Sequence, residues 1–270
     1  SLRAFLMNFK SLLLVILSAT MLISCDPEEA KEKNRVGVTS SFLFDGWKFK
    51  SQSEDSLRNA VVPGCVQNDL LRLNLMEDPY KGLNEKTVTW VEKETWEYLG
   101  IFELTERDLE NKHLELEFLG LDTEAKVYLN DTIILEANNM FREWQVEVTD
   151  FVKVGKNQLK VVFPPLMDTY GPLSTQFGTK LPSGSEEGDP KISPFVRKAP
   201  CQFGWDWGPR MVTAGIWRPV QIHMWNDCRI SSVKCETLSA GAGGGRVQVT
   251  VEVEAGSKDL NEVEMEIQGE

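Results

Sequence analysis

The chain has 270 residues, 41% hydrophobic and 26% charged, enough to bury a sizeable core in more than one domain. Its formal charge of −12 and pI near 4.8 argue against nucleic acid, whose phosphates attract a basic face. They do not select among neutral sugars, which acidic and basic proteins bind alike.

The first residue is Ser1, and Met7 is a candidate natural start. A basic opening around Lys10, followed by the apolar run Leu12-Leu13-Leu14-Val15-Ile16-Leu17, has the form of a secretory signal over residues 1–24. That run is too short to span a bilayer by itself. Leu22-Ile23-Ser24-Cys25 resembles the bacterial lipobox, in which the Cys becomes the acylated first residue of the mature chain. An ordinary signal that happens to contain a Cys is the alternative. The expectation is an exported lipoprotein of the bacterial cell envelope, periplasm or outer membrane. Cys25 would be its membrane anchor and residues 25–40 a polar tether.

Beyond the tether the pattern is β. A short helix is predicted after Pro63-Gly64, with Val66, Leu70 and Leu73 on one face. His113–Phe118 alternates strictly, placing Leu114, Leu116 and Phe118 on one side. Residues 125–130, 158–163, 220–225 and 246–254 repeat the theme, with Asn130-Asp131 and Gly155-Lys156-Asn157 read as turns. Residues 164–210 break it: eight of the twelve prolines fall there, with Tyr170, Phe177, Phe195, Phe203, Trp205 and Trp207. Disorder is poor in aromatics, so this stretch is read as a long ordered loop that builds a surface. After Trp225 a new strand region begins, and the glycine run at 241–245 is read as a hairpin turn. It lacks the Lys-Ser/Thr of a phosphate loop. The chain stops at Glu270 with two or three strands of a second sandwich laid down, which reads as a truncation.

Four cysteines follow the signal: Cys65, Cys201, Cys228 and Cys235. An exported protein could pair them, and the sequence leaves the pairing open. Cys228 and Cys235 are seven apart, which puts them on opposite faces if one regular strand carries both. The spacings match no metal motif, and His113 and His223 stand alone as strand or surface residues, so neither metal nor cofactor is expected.

Hydrolysis of a glycoside normally needs two carboxyl groups across the scissile bond, one kept protonated by its surroundings. The chain's 41 acidic residues lie mostly on alternating strands or in charge runs, and no pair stands out. One cluster in the aromatic stretch does: Phe203-Gly204-Trp205-Asp206-Trp207-Gly208-Pro209-Arg210. An indole can cover the apolar C–H face of a sugar, and a carboxylate can accept bonds from two adjacent hydroxyls. The structural alternative is a loop folded on itself, with Asp206 capping backbone N–H groups or pairing with Arg210.

Several segments carry a resemblance. They include Val62-Pro63-Gly64-Cys65-Val66-Gln67-Asn68-Asp69-Leu70-Leu71, Asp78-Pro79-Tyr80-Lys81-Gly82-Leu83-Asn84-Glu85 and Thr89-Trp90-Val91. Phe118-Leu119-Gly120-Leu121-Asp122-Thr123, Val127-Tyr128-Leu129-Asn130 and Asn139-Met140-Phe141-Arg142 belong with them, as do the block from Phe203 to Arg210 and Gly215-Ile216-Trp217-Arg218-Pro219-Val220. Taken in order, they resemble the opening of β-mannosidases of glycoside hydrolase family two, with Gln67 standing where the relatives usually have His. The resemblance implies an all-β chain: a jelly-roll, galactose-binding-like β-sandwich over 41–226, then the beginning of an immunoglobulin-like β-sandwich over 227–270. It implies that the catalytic Glu residues lie on a (β/α)8 barrel beyond Glu270, so that none here is catalytic. It further implies that Asp206, with Trp205 and Trp207, reaches glycon hydroxyls of a β-mannoside oligosaccharide or glycan in the −1 subsite. Asn84, Trp90 and Arg142 are weaker candidates of the same kind. Two alternatives stay open: a stand-alone carbohydrate-binding lipoprotein, and a family-two enzyme with galactose, glucuronate or glucosamine as glycon.

Overall fold

The computed structural model describes residues 39–41, 44, 46–241 and 244–255. The signal over 1–24, Cys25 and the tether as far as residue 38 lie outside the described residues, as does the stretch from 256 to 270. The described chain divides into a body, Thr39–Met224, and a second unit that begins at Trp225.

Among the described residues the body has the strands β1 (Thr39–Ser41), β2 (Lys48–Ser51), β3 (Arg58–Asn59), β4 (Trp96–Leu104), β5 (His113–Phe118), β6 (Glu124–Leu129), β7 (Thr132–Asn138), β8 (Trp144–Glu147), β9 (Gly155–Phe163) and β10 (Val220–Trp225). They form a six-stranded sheet in the order β3-β2-β4-β9-β6-β7 and a four-stranded sheet in the order β1-β10-β5-β8. β1 opens at Thr39, inside the stretch read as tether, and pairs Thr39 with Met224.

Alternation explains which face of each strand turns inward. β4 buries Trp96, Tyr98, Phe102 and Leu104, and β9 buries Leu159, Val161 and Phe163. From the other sheet β5 contributes Leu114, Leu116 and Phe118 and β10 contributes Val220, Ile222 and Met224, all to one apolar cluster. Each large side chain removed from water there is worth about 1.5–3 kcal/mol, so the repeated pattern outweighs any single loop in fixing the fold. Gly100 stands within β4, where a Cβ would sit 2.9 Å from the rings of Trp47 and Phe44, which stack at 5.0 Å.

Helix α1 (Val66–Arg72) stands where the apolar spacing predicts it, with Val66 and Leu70 buried. Two expectations about the body need correcting. Gly155-Lys156-Asn157 is no turn: β9 starts at Gly155, which pairs with Leu104. The chain reverses just before it, where buried Asn157 binds the Lys153 backbone N–H and C=O through its amide at 2.9 and 2.7 Å. The stretch after residue 164 is not irregular throughout, because Leu166–Gln176 is a helix (α3) that carries Pro172 in its interior. Two helical turns, α2 (Asn84–Thr87) and the 3-10 turn Val88–Lys93, also lead into β4.

The second unit's described residues form a hairpin of β11 (Cys228–Gly241) and β12 (Gly244–Ala255), with Gly241 opposite Gly244 as the glycine run predicts. A bulge between Ile230 and Ser232 corrects the parity of its cysteines. Cys228 faces Ala255 and Cys235 faces Val249, so both lie on the face that carries Ile230, Val233, Val251 and Val253. The four described cysteines are free thiols. Among the described residues no helix is long and apolar enough to cross a membrane.

Candidate functional site

The aromatic stretch resolves into a small core and an exposed tip. Phe203 is fully buried and packs with Leu166, Tyr170, Ile192, Val196 and Val212 into a second apolar cluster. One residue later the chain turns outward through Gly204, at φ +122°, where a Cβ would meet the Ser185 carbonyl oxygen at 2.9 Å. Trp205 and Gly208 then exchange backbone hydrogen bonds of 3.3 Å, closing a tight turn around Asp206 and Trp207.

At the tip Trp205 is 51% and Trp207 85% exposed, their rings edge-to-face with centroids 6.0 Å apart, and Asp206 is exposed between them. Asp206 neither caps backbone N–H groups nor pairs with Arg210. Its Oδ1 accepts a hydrogen bond from the Ser185 hydroxyl, leaving Oδ2 without a partner among the described residues. Two indoles beside a half-satisfied carboxylate can offer an apolar surface and an anionic acceptor to one polar, ring-shaped ligand.

Arg210 ends the turn and points away from Asp206. Its Nε donates to both carboxylate oxygens of Glu92, at 3.0 and 3.1 Å, and its Nη1 donates to the carbonyls of Glu187, at 2.8 Å, and Phe203, at 3.3 Å. Glu92 belongs to the 3-10 turn that also carries Trp90, so this bond joins the Trp90 segment to the Asp206 turn. Trp90 is 39% exposed and tilts against buried Trp96, 6.0 Å away, while the Trp96 Nε1 donates to Val91 O at 2.9 Å and holds the turn from below. Asn84 opens α2, and its Nδ2 donates to Asp78 O at 3.0 Å, a brace within the loop. Arg142 lies elsewhere, its guanidinium 4.4 Å from the Trp144 ring. The structure therefore assembles Trp205, Asp206 and Trp207 into one turn and ties the Trp90 segment to it. It gives Asn84 and Arg142 local contacts of their own.

Ser185 and Glu92 do not stand out in the sequence. Ser185 lies 21 residues and Glu92 118 residues from its partner, and nothing in the spacing links them. A separate cleft of about 240 Å³ opens between Cys65, Asp122, Gln202 and Trp217 and includes none of the tip residues. Behind it Lys198 donates to Asp122, whose other oxygen accepts from Thr213 Oγ1 at 2.6 Å. Burial pushes the Lys198 ammonium below its usual range against the attraction of Asp122, and burial pushes the Cys65 thiol up. His113 and His223 sit on β5 and β10, beside Glu147 and Glu117 at 3.2 and 2.8 Å.

Two antiparallel sheets closed over one apolar core, with a tip of exposed aromatics on a long connection, define a galactose-binding-like β-sandwich. The family model for the glycosyl hydrolase 2 galactose-binding domain-like fold matches residues 47–218, and the chain belongs to that family. Among curated relatives it is 33% identical to β-mannosidase B of Emericella nidulans, over 80% of this chain and 26% of that protein. It is 32% identical to the β-mannosidase of Capra hircus, over 72% and 22%. Among solved structures it superposes on the β-D-mannosidase of Dictyoglomus thermophilum with a TM-score of 0.74 and 36% identity, covering 81% of this chain and 26% of that one. The exo-chitosanase CsxA of Amycolatopsis orientalis, TM-score 0.61 at 16% identity, shares the fold. The chain spans about a quarter of the length of the relatives it matches.

Proposed function

We propose that this chain is the N-terminal, non-catalytic part of an exo-acting, retaining β-mannosidase, and that Asp206, flanked by Trp205 and Trp207, binds glycon hydroxyls in the −1 subsite. The observation that carries the reading is the exposed turn itself. Two large indoles and a carboxylate with one free oxygen are held out in water by a buried Phe203 and a positive-φ Gly204. Leaving that much aromatic surface exposed is costly unless it is covered in use. The likeness to proteins named β-mannosidases supports mannose as the glycon. On this reading the general acid and nucleophile belong to a (β/α)8 barrel outside the 270 residues, the hairpin β11–β12 opens a second, immunoglobulin-like sandwich, and acylation of Cys25 tethers the protein to the envelope.

Asp206→Ala in the full-length enzyme tests the central claim. A carboxylate that loses charge-assisted bonds to two hydroxyls, about 1.5–3 kcal/mol each, should lower kcat/KM by about two to four orders of magnitude. Near-normal kcat/KM with a melting temperature several degrees lower would make Asp206 a loop-bracing residue and remove the reading's main support.

A further inference from the structure

We propose that Arg210 is the positioning residue of this site: one guanidinium ties together the four segments that surround Asp206 and so fixes where its carboxylate and the two indoles point. The inference rests on the reading of Asp206 as a ligand-binding group. Its physical part, the pinning of the turn, can be tested without that reading.

The geometry is specific to arginine. Nε engages Glu92 in a forked bond, and Nη1 reaches two backbone carbonyls, so one planar group binds in three directions. Each partner lies in a different place in the chain. Phe203 O stands directly before the Gly204 pivot, and Arg210 itself stands directly after the Pro209 that ends the turn, so both legs of the Trp205–Asp206–Trp207 excursion are held to one point. Glu187 O belongs to the segment whose Ser185 donates to Asp206 Oδ1. Glu187 N also bonds Phe203 O, at 3.1 Å, so the two segments are joined by backbone and side chain together. Glu92 brings in the turn that carries Trp90.

The hub is itself fixed. The Arg210 and Glu92 side chains are 11% and 17% exposed, and the guanidinium lies 5.5 Å from the Phe203 ring centroid. Buried Glu186 lies 4.0 Å from Nη1 and accepts from Ile192 N, Ser193 N and Ser193 Oγ at 2.8, 3.1 and 2.7 Å. That places a rigid acidic wall behind the guanidinium. The consequence reaches Asp206 through Ser185: with Oδ1 held, Oδ2 is the oxygen presented to a ligand, in one orientation. A lysine at 210 would keep the charge and lose the fork, so it could not hold all four segments.

The test has two arms. In the first, this chain is labelled with 5-fluorotryptophan, and each ¹⁹F signal is assigned from single Trp→Phe variants. Arg210→Gln should broaden or shift the Trp205 and Trp207 signals while that of Trp47, which reports on the folded core, stays in place. Arg210→Lys should behave like Arg210→Gln. Should Arg210→Gln fail to fold, Glu92→Gln removes the forked partner alone and should give the same selective change. Unchanged Trp205 and Trp207 signals in a folded variant overturn the proposal. In the second arm, the full-length enzyme is assayed on an aryl β-mannoside. Arg210→Gln should lower kcat/KM by about 10²-fold, the scale of loss when a reacting group is misplaced by about 1 Å. Added to Asp206→Ala it should cost less than about threefold more, because it acts through Asp206. Multiplying losses overturn the positioning role. A normal Asp206→Ala enzyme overturns the ligand reading instead, and the fluorine signals alone then decide whether Arg210 pins the turn.

Discussion

Lys198 and Asp122 have side chains 0% and 2% exposed, and neither has water to share its charge with. The pair is held by geometry. Lys198 Nζ also donates to Thr213 O at 2.9 Å, and Asp122 accepts from the hydroxyls of Thr123 and Thr213 at 2.5 and 2.6 Å. Removing one partner strands a buried charge, whereas removing both does not. Lys198→Met should therefore cost about 3–5 kcal/mol in urea unfolding, and Asp122→Asn with Lys198→Met should recover most of it. A single-variant loss under about 1 kcal/mol would show that the pair is solvated after all. Asp122 was visible in the sequence as part of the resembling Phe118-Leu119-Gly120-Leu121-Asp122-Thr123 run, but its partner was not. Lys198 sits 76 residues away among prolines, where no periodicity points inward. The tip shows the same division: Trp205, Asp206 and Trp207 were legible because their residue types are unusual side by side. The bonds from Ser185 and between Glu92 and Arg210 depend on how the chain folds back.

At the scale of elements, β5 and β8 are locked at one end by Glu147. Its carboxylate accepts from Leu114 N at 3.1 Å, from the Thr149 hydroxyl, and faces His113 Nδ1 at 3.2 Å. Burial alone would raise its pKa, but the Thr149, Leu114 and His113 bonds outweigh it and hold the carboxyl below its ordinary 4.5. A depressed carboxylate pKa contributes stability that is present above the unfolded value and lost as pH falls through the folded one. Glu147→Gln should accordingly lower stability at pH 7 by about 0.5 kcal/mol, a small effect because the side chain is 46% exposed and screened by water. The gap between variant and parent should narrow as pH falls below 4.5, and urea midpoints at pH 7 and through that acidic range check it. A constant gap would assign the effect to shape. Strands such as β5 and β10 were readable because alternation is a local signature of one buried face. Helix α3 was not, since Gly171 and Pro172 stand mid-helix where both disfavour it. Contacts with the body override that preference: Leu166 and Tyr170 are buried, and the Tyr170 hydroxyl donates to Glu124 on β6.

For the molecule as a whole, the decisive question is whether 270 residues can hydrolyse a glycoside. A retaining glycosidase needs two carboxyl groups about 5–5.5 Å apart, one of them kept protonated near neutral pH. Glu124, Glu186, Asp122 and Glu92, described carboxyls with buried or paired oxygens, are occupied structurally. Burial raises the pKa of Glu124, yet its oxygen receives the Tyr170 hydroxyl, a bond that braces α3 against β6. Burial and that same bond push the Tyr170 hydroxyl up in turn. Glu186 is buried, but all its bonds serve the 186–193 turn, and Asp122 is neutralised by Lys198. Glu92 faces Arg210 with both oxygens. Asp206, exposed between Trp205 and Trp207, is engaged by the Ser185 hydroxyl. The purified chain should therefore release aryl β-mannoside product at no more than the buffer rate. Quenching of Trp205 and Trp207 emission by millimolar mannose should be weak, because one side of the ligand is unclasped. Turnover that copurifies with the chain and disappears in Glu124→Gln would place an acid catalyst on this sandwich and overturn the division of labour proposed between it and a barrel.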